Sequence, residues 1–111
     1  MQTLQDTIHV HTAVVNTAVA SGGDCVVTVA AVADQRHTLE YVGGGYNVAP
    51  DANSVLTVTF GGTAKFVVPV TAAGALQIPL PPNGLQGGLN EAMVVTLDDG
   101  SQIKHLSIQY S

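Results

Sequence analysis

Between Ser54 and Val70 the chain alternates almost strictly, and this stretch constrains the fold more than any other. Leu56, Val58 and Phe60 fall on one side of an extended backbone, and Val55, Thr57 and Thr59 on the other. A period of two is a strand period, because successive side chains of a strand point to opposite faces. Gly61-Gly62 follows at once and supplies the positive φ angles of a two-residue hairpin turn. The return run, Thr63–Val70, puts Phe66, Val68 and Val70 on one face. Pro69 lacks an N–H and places that end of the strand at a sheet edge or a bulge. A hairpin with one apolar face is not stable alone and requires more strands to cover it.

The rest of the chain supplies them. Val and Thr recur in short runs divided by Gly, Pro, Asn and Asp, and β-branched residues suit a pleated surface. Strands are expected at Thr7–Val15, Asp24–Val32, Arg36–Val42, Ala75–Leu80, Glu91–Leu97 and Gln102–Tyr110, beside the two hairpin strands. Leu39 and Tyr41 are expected to point inward, as are Leu76, Ile78 and Leu80, and later Leu106, Ile108 and Tyr110. Two Gly/Pro-rich connections separate strands: Gly43–Asn53 and Pro81–Asn90. The Ala-rich segment Thr12–Ala20 is the best helix candidate, but Val, Asn and Thr interrupt it. About eight short strands at intervals of roughly ten residues imply a single antiparallel β-sandwich of jelly-roll type. Residues 21–111 form the expected sandwich. Residues 1–20 form a first strand or an arm exchanged with a neighbouring subunit.

Composition narrows the function classes. Only 10% of the 111 residues are charged, against about 25% in ordinary domains. A surface built from Thr, Ser, Asn, Gln, Gly and Ala pairs readily with other surfaces, because little charge must be desolvated. The net charge is −5. The three cations, Arg36, Lys65 and Lys104, are too few and too scattered to follow a phosphate backbone or an anionic membrane. The sole cysteine, Cys25, has no intrachain disulfide partner, and no basic n-region precedes an apolar stretch. These features point to folding in a reducing compartment.

Chemistry-bearing patterns are thin. His9 and His11 project from one face of a strand, and His37 or His105 could add a third metal ligand. A cupin-like metal-dependent enzyme begins with such a pair, but Val15 and Asn16 stand where its glutamate belongs. The two histidines are otherwise interface candidates. Cys25 sits in an apolar run, Cys25–Val32, and reads as a small buried hydrophobe. Asp98-Asp99-Gly100 is a turn signal, not a calcium loop. Gly43-Gly44-Gly45 lacks the lysine and helix of a phosphate loop. Glu40 and Glu91 stand on separate segments. Tyr46 is the one aromatic expected to be exposed, and with Asn47 and Leu85 it completes the interface candidates. No catalytic residue, metal or cofactor is expected, and the chain is read as non-enzymatic.

From Val26 onward the sequence resembles small virion structural proteins of tailed bacteriophages. The resemblance is carried by Val29–Ala33, by Arg36, Leu39 and Tyr41, and by Leu56–Phe60 followed by Gly61-Gly62-Thr63. Gly74, Leu76 and Pro79, then Asn90–Leu97, and a closing strand ending at Tyr110 complete it. The Gly43–Asn53 loop departs from that pattern. The resemblance implies a capsid decoration or cement protein on the outside of the virion, assembled in the host cytoplasm. It further implies a homo-oligomer, with a trimer favoured, bound to the major capsid protein lattice. The alternative is a carbohydrate- or receptor-binding β-sandwich module of a tail tip or fibre.

Overall fold

A computed structural model describes residues 13–19, 24–50, 54–98 and 103–111. Among them are nine strands and no helix: β1 (Ala13–Val19), β2 (Cys25–Val29), β3 (Thr38–Tyr46), β4 (Val55–Phe60), β5 (Thr63–Pro69), β6 (Gly74–Ile78), β7 (Leu85–Gln86), β8 (Met93–Leu97) and β9 (Lys104–Tyr110). The interrupted Ala-rich segment is strand from Ala13 to Val19, as its β-branched Val14, Val15, Thr17 and Val19 favour. Of the expected first strand, residues 7–12 lie outside the described residues.

The strands form two antiparallel sheets. Sheet A runs β1-β9-β3-β6, with β7 also paired to β3, and sheet B runs β2-β8-β4-β5. The pairings nest around the tight Gly61-Gly62 turn. β4 pairs with β5, β3 with β6, β2 with β8 and β1 with β9. One long antiparallel ribbon, folded at that turn and wrapped upon itself, generates this order. It is the jelly-roll winding, which covers strand faces by packing two sheets together. The β4–β5 hairpin at its centre follows the sequence pattern closely, with φ of 58° and 84° at Gly61 and Gly62. β5 is an edge strand, as Pro69 required.

The core lies between the sheets. Leu39, Val42, Tyr46, Leu106 and Ile108 enter it from sheet A, and Cys25, Val27, Leu56, Val58, Phe60, Met93, Val95 and Leu97 from sheet B. Cys25 is fully buried, as its apolar run implied. Asp98, directly after β8, anchors two polar contacts, one across the layers and one within sheet B. The Tyr46 hydroxyl donates to the Asp98 carbonyl oxygen at 2.5 Å. The Val55 N–H donates to Asp98 Oδ1 at 2.7 Å. Lys104, one of the three scattered cations, is fully enclosed. Arg36 and Lys65 remain exposed.

The short strand β7 lies within the expected Pro81–Asn90 connection, β2 ends at Val29 and β8 begins at Met93. The two differences that reshape the outer face of sheet A lie on β3. The strand continues through Gly43, Gly44 and Gly45 to Tyr46, where a flexible loop was expected. The register of β3 against β9 also slips between Leu39 and Tyr41, leaving Glu40 as the extra residue of a β-bulge. The slip lets Leu39 and Val42 both point into the core although they are three residues apart. Tyr41, expected inside, is thereby turned to the outer face of sheet A.

Candidate functional site

The outer face of sheet A follows from this bulge. Beyond it, Val42 and Tyr46 are buried in the core, while half-buried Tyr41 and the covered Gly43 and Gly45 belong by strand alternation to the outer side. On β9 the outward residues are His105, Ser107 and Gln109, alternating with buried Lys104, Leu106 and Ile108. The register sets Tyr41 beside Gln109, Gly43 beside Ser107 and Gly45 beside His105. On the other flank Gln77 lies opposite Gly43 and Ala75 opposite Gly45. An aromatic, a histidine, a hydroxyl and two primary amides thus share one surface.

Glycines form its floor. A Cβ on Gly43 would collide with the Tyr41 hydroxyl and Cζ, so the Tyr41 ring reaches along the strand and lies over Gly43. Gly44 and Gly45 have φ of 155° and 159°, a region that L side chains rarely adopt. A Cβ on Gly44 would strike the His105 carbonyl oxygen, and one on Gly45 the Gly74 carbonyl oxygen. The three-glycine run is therefore a flattened strip of sheet, with a single aromatic ring laid across its start.

Beside that ring is a hollow of about 450 Å³, lined by Tyr41, Gly44, Gly45, Asn47, Ala75 and His105 among others. A second hollow, of about 590 Å³, begins on the far side of Tyr41 and is bounded by Glu40, Ile78, Leu80 and the Pro81–Gly84 turn. Both sizes fall in the range of small-ligand sites, roughly 300–1,000 Å³. Neither is lined by Lys or Arg, and Glu40 is the one acid among the lining residues. A third hollow, about 640 Å³, lies at the opposite end of β3, around Val32, Arg36, Leu89 and Tyr110.

The sequence candidates are dispersed. His9 and His11 lie outside the described residues, as do Asp51, Asn53, Asp99 and Gly100. His37 is buried, with Nε2 2.8 Å from the Ala30 carbonyl oxygen and its ring edge-on to Tyr110 at 5.9 Å. His105 is exposed on the outer face of sheet A. Among the described residues no three of His, Cys, Asp and Glu gather where they could hold a metal ion. Glu91 accepts from the Gly88 N–H at 2.7 Å, and Glu40 from the Ser111 hydroxyl at 3.0 Å.

Three interface candidates are described. Tyr46, expected to be exposed, is only 2% exposed, because the glycine run continues β3 and carries it to an inward position. Leu85 is half-buried on β7 and packs against the core. Asn47 is exposed at the rim of the first hollow. Tyr41, Gln77 and Gln109 were missed. The signal for Tyr41 was present: Leu39 and Val42 both need burial, and their spacing breaks the period of two.

No protein-family model matches the chain, and no curated protein matches it. Among solved structures, the CBM36-1 domain of a multidomain xylanase from the hindgut metagenome of Trinervitermes trinervoides resembles it in outline. The TM-score is 0.45 and the identity 14%, over 88% of this chain and 84% of that one.

Proposed function

We propose that this chain is a non-catalytic carbohydrate-binding module that takes its ligand on the outer face of sheet A. The observation that carries the reading is the Tyr41 side chain reaching over Gly43 beside a hollow lined by glycines, Asn47 and His105, with no Lys, Arg, Asp or Glu. A sugar ring has apolar C–H faces and an equator of hydroxyls. An aromatic ring on the outer side of a sheet can bury the first. Gln77, Gln109, Ser107, Asn47 and His105 offer donors and acceptors to the second. The glycine floor keeps side chains out of the space the ligand needs, and the sheet holds the platform rigid before binding.

Affinity electrophoresis through gels holding xylan, mixed-linkage β-glucan or galactomannan tests this. The chain should be retarded by at least one of these, and Tyr41→Ala should lose that retardation while keeping the wild-type unfolding midpoint within a few degrees. A Tyr41→Ala variant retarded like the wild type would overturn the assignment, as would migration unaffected by any polysaccharide.

A second reading, a virion protein seated on an assembled capsid lattice, is favoured by the other sheet. The outward residues of β2, β8 and β4 are Val26, Thr28, Val94, Thr96, Val55, Thr57 and Thr59, without a charge among them. In a chain of net charge −5 such a face meets a protein surface at little desolvation cost. Co-sedimentation with assembled capsids that Thr57→Glu abolishes would support this reading, and sedimentation unchanged by Thr57→Glu would oppose it.

A further inference from the structure

The first two hollows beside β3 are not separate features. Both are lined by Tyr41, so they adjoin at that side chain. The first opens toward Asn47 and the second toward Glu40 and the Pro81–Gly84 turn. Asn47 to Glu40 is the length of β3's outer edge, roughly 23 Å at the rise of an extended strand.

The second hollow is preformed. Its far wall is a turn closed by the Gly84 N–H donating to the Pro81 carbonyl oxygen at 2.8 Å, with φ of 75° at Gly84. Pro81 and Pro82 fix their own φ angles. The short strand β7 then ties the turn back to β3 through Thr38↔Gln86 and Leu39↔Leu85. A wall of this kind loses little freedom when a ligand arrives.

The two hollows differ in chemistry. The first presents glycine backbone, Ala75 and the Tyr41 ring, with His105 and Asn47 at its rim. The second is lined by the polar Glu40 and Asn83 together with the apolar Ile78 and Leu80. Glu40 is positioned by the Ser111 hydroxyl, and its carboxylate accepts hydrogen bonds only. It takes hydroxyl donors and repels a uronate or sulfate. The exposed cations, Arg36 and Lys65, line neither hollow.

Resting on the carbohydrate reading above, we propose that the ligand is an uncharged oligosaccharide laid along β3. Two binding subsites meet at Tyr41, and Glu40 and Asn83 hold the second sugar position. The ligand class is thus a neutral chain, not a single sugar and not an acidic glycan.

Isothermal titration of the full chain with cello-, xylo- and mannooligosaccharides of one to six residues tests this, with oligogalacturonates as the acidic series. In the series that binds, affinity should rise at least tenfold between the disaccharide and the tetrasaccharide. With Asn83→Ala or Glu40→Gln the tetrasaccharide should bind no better than the disaccharide does to wild type. Oligogalacturonates should bind at least tenfold more weakly than neutral chains of equal length. Wild-type affinity independent of length, or equal affinity for the acidic series, would overturn this inference while leaving sugar binding at Tyr41 intact. Binding of no oligosaccharide at any length would overturn both.

Discussion

Three glycine-to-alanine substitutions, at Gly43, Gly62 and Gly44, separate the forces that shape the site. At Gly62 a Cβ meets nothing within 4 Å, but φ is 84°. The cost there is backbone strain alone, about 1–2 kcal/mol for an L residue in a left-handed conformation. At Gly44 the strain of φ 155° is joined by a collision between Cβ and the His105 carbonyl oxygen. That oxygen belongs to β9, which is paired on both sides, so it cannot move without disturbing two ladders. Strain of about 1–3 kcal/mol and overpacking of about 1–3 kcal/mol give a total of roughly 2–6 kcal/mol. Alanine returns about 0.4–1 kcal/mol in each case by restricting the unfolded chain. At Gly43 the clash is with the far end of the Tyr41 side chain, which can swing aside. Stability there should change by less than about 1 kcal/mol, while sugar binding falls because the ring leaves its platform. Equilibrium urea denaturation reads the three differences, and a thermal melt reads them again at roughly 4 °C per kcal/mol for a chain of this length. If Gly44→Ala is no more destabilising than Gly62→Ala, the close approach of β3 to β9 does not exist and the glycine floor is wrongly drawn.

The core makes further predictions. Phe60 is fully buried with its ring against Gly87, whereas Phe66 is only partly buried on the edge strand. Phe60→Ala should cost about 3–5 kcal/mol and Phe66→Ala clearly less, measured by urea midpoints, and equal costs would contradict the layer assignment. Asp98→Ala strands the Val55 N–H, which should cost about 1–3 kcal/mol. Asp98→Asn retains an acceptor there and should cost less, as thermal melts of the two variants will show. The Cys25 thiol should react with a thiol-specific reagent only as fast as the sandwich opens, so urea near the midpoint should accelerate labelling sharply. Rapid labelling of the native chain would place Cys25 at the surface.

The sandwich was legible because its evidence is local and periodic. The β4–β5 hairpin could be read from Leu56, Val58 and Phe60, the paired glycines and Pro69, and its turn is where the jelly-roll ribbon folds back. The buried position of Cys25 followed from its apolar neighbours. What escaped was the phase of β3. Reading Arg36–Val42 as one unbroken alternation put Tyr41 inside, and reading Gly43–Gly45 as a loop put Tyr46 outside. Both errors have one cause: glycine carries no side chain, so three in a row erase the polarity signal that reports which way a strand faces. The geometry that restores it, carbonyls of β9 and β6 approaching too closely for any Cβ, arises from strands distant in sequence. Lys104 escaped for a similar reason, since its inward position on β9 is set by pairing with Tyr46.

The bulge and the glycine run are best understood as one device. A regular β3 that buried Leu39 would also bury Tyr41, and its outer face would present the side chains at 40, 42 and 44. The extra residue at Glu40 exchanges the two faces beyond that point. It sends Tyr41 out, Val42 in, and leaves the Glu40 carboxylate at the boundary of the second hollow. An aromatic turned out of a core gives up burial worth about 1.5–3 kcal/mol, and the glycines that follow give up strand stability as well. Sequences that serve only to fold have no use for such losses, and local departures of this kind mark sites that a fold has been made to carry. The losses fall on one strand and one face, and they produce a stacking ring, a clear floor and a carboxylate in line. That coincidence is why we place the proposed ligand on the outer face of sheet A and not on the Thr/Val face of β2, β8 and β4.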